Sequence, residues 1–99
     1  MLMETLLDAT DRLRAEGFHL DFSATVRGNL LCAECGVEHD PESMRILEVV
    51  RYEGASDPAD ETILLALSCT RGCKGVYSAA FGHATAEADV AALARLPDR

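Results

Sequence analysis

Apolar positions along this chain change rhythm several times, and each rhythm predicts a different element. Between Met3 and Glu16 the residues Met3, Leu6, Leu7 and Leu13, with Thr10 between them, recur at helical spacing. Acids come early (Glu4, Asp8) and bases late (Arg12, Arg14), the order that suits the helix dipole, and Gly17 is a natural stop. Phe18, Leu20 and Phe22 then alternate with polar residues, placing the three on one face of a strand or of an extended entry into one. Arg27–Asn29 reads as a turn, "NLLC" as a short strand running into Cys32, and "VEHDPES" as a polar, proline-containing loop.

"MRILEVVRYEG" fits either helix or strand, with Val49, Val50 and Tyr52 tilting its second half to strand. In "SDPADE", Asp57 is suited to a helix N-cap, Pro58 to the first helical position and Asp60 to a capping acid, so a single helical turn is expected. "TILLALSC" is a nearly continuous apolar run of strand length, and "GVYSAAFG" is a further strand, with Val76–Phe81 expected as an unpaired edge. Thr85 can cap "AEADVAALARL", whose Val90, Leu93, Ala94 and Leu96 form one apolar face before Pro97 ends the helix. Without a repeat or linker, residues 1–99 are expected to form a single domain. The pattern predicts an α+β fold, a small antiparallel sheet flanked by an N-terminal and a C-terminal helix.

Composition narrows the function classes. A hydrophobic share of 48% against 26% charged residues is that of a folded globular chain. The formal charge of −8 repels phosphate backbones and anionic lipid, and the bases are spread out, with only Arg71 and Lys74 close together. Nucleic acid is therefore a poor fit as partner. No apolar run approaches the roughly 20 residues of a membrane helix, and the acidic N-terminus lacks the basic and apolar regions of a secretion signal. A cytoplasmic location with no membrane partner is expected.

In that compartment thiols stay reduced, which makes the four cysteines the chemically informative residues. Cys32 and Cys35 in "LLCAECG" and Cys69 and Cys73 in "SCTRGCKG" form two close pairs far apart in the chain, with Gly36 and Gly72 where the backbone must turn sharply. The arrangement resembles a zinc ribbon, in which cysteine-bearing turns at neighbouring strand ends close a tetrahedral four-thiolate site. That resemblance implies zinc-ribbon knuckles on the sheet and a structural Zn²⁺ held by Cys32, Cys35, Cys69 and Cys73, with no open position for catalysis. The second pair has three intervening residues where the usual ribbon has two. Alternatives are reduced thiols with no metal, a redox CxxC, or His39 as a substitute ligand should one cysteine face away.

"RYEGASDPADETILLALSC", "GCKGVYSAAFG" and "LRAEGFHLDF" together resemble a family of small uncharacterised bacterial proteins, some bearing a name taken from phosphoribosylpyrophosphate synthetase. That activity is not expected, since nothing in the chain resembles that enzyme's phosphate-binding loop. Many relatives of this kind lack the cysteines, which implies a sheet able to fold without knuckles. The expectation is a non-enzymatic module that binds another protein or forms a homodimer through a sheet face or edge. Three alternatives stand beside it: an enzyme or binding protein for an anionic or phosphorylated ligand, using the Arg51–Asp60 loop with Arg51, Glu53 and Asp57 as polar centre, where Glu53, Asp57, Asp60 and Glu61 could also converge as a divalent-metal or acid-base site; a thiol switch at Cys32 and Cys35; and nucleic-acid binding through Arg71 and Lys74. His19 and His83 are expected to be surface or packing residues.

Overall fold

The computed structural model describes residues 5–52, 62–80 and 86–97. Their elements, in chain order, are α1 (Leu6–Ala15), β1 (Leu20–Ala24), β2 (Leu30–Cys32), β3 (Glu38–His39), a 3-10 turn η1 (Pro41–Ser43), β4 (Arg45–Tyr52), β5 (Thr62–Ser68), β6 (Lys74–Ala80) and α2 (Glu87–Arg95). The strands form one six-stranded sheet in the order β3-β2-β1-β6-β5-β4. The predicted α+β class holds. The sheet is mixed, however, and not wholly antiparallel, because β1 and β6 run parallel, with Leu20 beside Gly75 and Phe22 beside Tyr77. This seam joins two antiparallel halves, β1–β3 and β4–β6.

Both faces of the sheet are covered, which explains the unbroken apolar run of β5. Leu65 and Leu67 point to one side, into a core with Phe22, Leu30, Met44, Tyr77 and Ala92. Leu64 and Ala66 point to the other, against Ala9, Leu13, Phe18 and Val76. A strand buried on both faces has no polar side to alternate with. The helices are exchanged across the seam. α1, which precedes β1, lies over β5 and β6, whereas α2, which follows β6, lies over β1 and against η1.

α1 starts at a capping box, in which Thr5 accepts from the Asp8 amide while Asp8 accepts from the Thr5 amide. Its buried face is Ala9 and Leu13; Leu7 of the predicted stripe is 69% exposed. α2 likewise buries Ala92 and leaves Val90 53% exposed, with Leu93 and Leu96 packed at the core's margin. Its N-cap is Ala86, and Thr85 lies outside the described residues. Phe18 enters the α1 side of the core and Phe22 the α2 side, because the strand begins only at Leu20.

β4 is strand throughout. A bulge at Leu47, between Ile46 and Glu48, breaks its alternation and turns both Ile46 and Val49 to the α2 side. The stretch expected as a plain loop after the first cysteine pair contains β3 and η1, capped by the Asp40 side chain accepting from the Glu42 amide. Arg95, in the last turn of α2, donates to Asp40 and Glu42 and to the Gly28 carbonyl and Asn29, tying the helix end to η1 and the β1–β2 turn. β6 is not an edge: β1 and β5 flank it, and among the described residues the open edges are β3 and β4. The helical turn expected around Asp57–Asp60 lies outside the described residues.

Candidate metal centre

Both cysteine pairs sit at the same end of the sheet, a consequence of the strand directions. β2 runs antiparallel to β1 and delivers Cys32 beside Phe22, with the Ala33 amide donating to the Asp21 carbonyl near the start of β1. β6 runs parallel to β1 and starts at Lys74, so Cys73 lies just before the point where Gly75 meets Leu20. Cys69 follows the last residue of β5. The first pair thus belongs to one half-sheet and the second pair to the other.

Each pair is a tight turn with the same internal design. In the first, the Gly36 amide donates to the Cys32 carbonyl at 2.9 Å and the Cys35 amide donates to the Cys32 sulfur at 3.4 Å. In the second, the Gly72 amide donates to the Cys69 carbonyl at 3.1 Å and the Cys73 amide to the Cys69 sulfur at 3.1 Å. Gly36 (φ 68°) and Gly72 (φ 87°) occupy the left-handed region that lets each turn close. Amide donors aimed at sulfur stabilise thiolate over thiol, the state a metal requires.

Cys32 is fully buried, Cys69 buried, Cys73 half-buried and Cys35 exposed. Burial, together with a hydrogen bond to Cys35, pushes the Cys32 thiol above its ordinary value. Burial acts in the same direction on Cys69. It is outweighed there by hydrogen bonds from the Cys73 thiol and from the Arg71 and Cys73 amides, so Cys69 lies below its ordinary value. Cys73 is raised, chiefly because its thiol proton is held by Cys69, then by burial and by the negative charges of Cys69 and Cys35. Within the second pair Cys73 is the donor and Cys69 the acceptor.

The sulfurs meet as two pairs. Among the described residues no group of three or more His, Cys, Asp or Glu side chains is close enough to hold a metal ion as the chain stands. His39 does not join either pair. It lies opposite Leu30, further from the cysteine end than Cys32, with its ring edge-on to Phe22 at 5.8 Å and its buried Nε2 without a hydrogen-bond partner among the described residues.

The other sequence candidates separate. Arg51 is exposed at the end of β4, and Glu53, Asp57, Asp60, Glu61 and His83 lie outside the described residues. His19 is exposed, as expected. Lys74 has its ammonium 4.6 Å from the Phe18 ring centre, and Arg71 stands exposed in the second turn. Sequence reasoning missed a cavity of about 470 Å³ lined by Ser43, Met44, Arg45, Ser68, Cys69, Thr70 and Gly72. The polar cluster at "LSCTRG" was its only visible trace.

No family model, curated protein or solved structure matches this chain. Among the described residues no helix is long and apolar enough to cross a membrane.

Proposed function

We propose that this protein is a non-enzymatic interaction module whose two half-sheets are pinned together by a structural Zn²⁺ on Cys32, Cys35, Cys69 and Cys73. The observation that carries this reading is the paired design of the turns. Both leave the same end of the sheet, from opposite sides of the parallel seam, and both direct a backbone amide at the first sulfur of the pair. The donor set fits the metal, since four sulfurs with amide support favour a thiophilic cation with no geometric demand of its own. When bound, zinc would fix the two turns against each other and leave no coordination position for substrate.

The interaction surface in this reading is the outer edge of β4, the longer of the two open edges, and it serves a protein partner or a second copy of the chain in the cytoplasm. Metal analysis of protein purified without chelator tests the core of the proposal. About one zinc per chain is expected, and protein that stays metal-free after reloading under reducing conditions would overturn it. Light scattering tests self-assembly, and a strict monomer at high concentration leaves only the heterologous partner.

A second reading is favoured by the hydrogen bond within each pair: loss of two protons and two electrons to a peroxide-type oxidant would close a disulfide in each turn. Metal-free protein whose pairs oxidise reversibly would support that thiol switch in place of zinc.

A further inference from the structure

We infer that the cavity between the start of β4 and the Cys69–Cys73 turn binds a small oxyanion-bearing molecule, its phosphate or carboxylate held by Arg45, Ser68 and Thr70 and its body resting against Met44. The inference stands on geometry independent of the metal, although Cys69 contributes to the wall.

The cavity exists because β4 and β5 stop pairing here. Arg45 and Ser68 are the last partners of their ladder and place their side chains on one face, while beyond them Ser43 and Met44 diverge from Cys69 and Thr70. Cross-strand partners on one face bring a guanidinium and a hydroxyl within reach of a common ligand atom. Met44 is buried to 2% exposure and supplies an apolar floor beside this polar rim. The lining is mainly polar over one apolar floor, and the volume of about 470 Å³ is in the range of small-molecule sites and roomier than a bare inorganic anion needs.

The hydrogen-bonding inventory gives the ligand its charge. Arg12, Arg14 and Arg95 each hold a carboxylate, whereas Arg45 has no ion-pair partner among the described residues. Arg27 and Arg71 likewise have none among the described residues, but of the three only Arg45 lines the cavity. Ser68 and Thr70 make no side-chain hydrogen bond among the described residues, so both hydroxyls can donate. Ser43 already donates to the Asp40 carbonyl at 2.7 Å and has only acceptor capacity left. Two free hydroxyl donors and one planar cation suit a phosphate or carboxylate group.

The test is a titration followed by amide chemical shifts, with inorganic phosphate, phenyl phosphate and acetate as probes at fixed ionic strength, on metal-free and zinc-loaded protein. Saturable shifts confined to residues 43–45 and 68–72 are expected, weakened about tenfold in Arg45→Gln for the loss of charge-assisted hydrogen bonds, with Thr70→Val as the second, milder variant. Saturation by phosphates alone or by acetate alone assigns the oxyanion, and tighter binding of phenyl phosphate than of phosphate supports the Met44 floor. Shifts that do not saturate, that spread over the surface, or that persist unchanged in both variants would overturn the inference. Binding in metal-free protein would uphold it even if the chain takes up no zinc.

Discussion

Replacing Gly75 with alanine tests how tightly the parallel seam between β1 and β6 is closed. A β-carbon at this position would lie 2.5 Å from the Leu20 carbonyl oxygen, 2.8 Å from the Leu20 carbonyl carbon and 2.7 Å from the edge of the Phe22 ring. Two of the three obstacles are backbone, and the ring belongs to a side chain 5% exposed, so none can swing aside into solvent. Gly75 does not have a positive φ, and alanine there would ordinarily stabilise the chain by about 0.4–1 kcal/mol through the unfolded state. Overpacking works against this with about 1–3 kcal/mol, and strain on the β1–β6 hydrogen bonds adds about 1 kcal/mol.

The clash wins, with a net loss of about 2–3 kcal/mol against a total stability of order 5–15 kcal/mol. For a chain of this length that corresponds to a fall in Tm of roughly 10–20 °C. Urea unfolding followed by far-UV circular dichroism measures it as a lower midpoint at unchanged slope. A Gly75→Ala variant within about 0.5 kcal/mol of the parent, the range of a neutral surface substitution, would mean that β1 and β6 are not paired in this register.

Leu65→Ala, which empties the core between Val49 and Tyr77, should cost about 2–5 kcal/mol in the same assay, whereas Leu7→Ala on the exposed side of α1 should stay within about 0.5 kcal/mol. Tyr77 is buried and donates its hydroxyl to Asp89 of α2; burial first and that bond second raise its pKa above the ordinary 10.0. Its stabilising effect is therefore complete below pH 10.0 and lost as pH rises beyond it, and Tyr77→Phe should flatten the alkaline limb of a stability–pH profile while costing about 1.5–3 kcal/mol at neutral pH. Under the zinc reading, Cys69→Ser and Cys32→Ser should each abolish stoichiometric zinc uptake, and chelator should lower the Tm of the parent but not of either variant.

What the sequence reveals here depends on how loudly each contact speaks in residue chemistry. The β5 run was legible because two-sided burial demands apolar residues at every position from Ile63 to Leu67. The cysteine turns were legible because sulfur and glycine at fixed spacing have few other uses. The helix faces were misread: the close approach of helix to sheet falls on Ala9 and Ala92, small residues that carry a weak hydrophobic signal, while the larger Leu7 and Val90 stand outside.

β4 hid its alternation behind the bulge at Leu47. The parallel seam was invisible because Gly75 reads as one more glycine of the second turn, when its role is to admit the Leu20 carbonyl and the Phe22 ring. The cavity at Arg45 depends on the end of a strand ladder, and composition gives no measure of where a ladder stops.

The exchanged helices set the order in which this domain can assemble. α1 closes over β5 and β6 and α2 reaches β1, so each hairpin system takes part of its apolar cover from a helix attached to the other. The apolar side of β1 and β2 is completed only by β6 and α2, the last of the described elements in chain order. Such dependence on segments distant in the chain makes for slow, all-or-none closure.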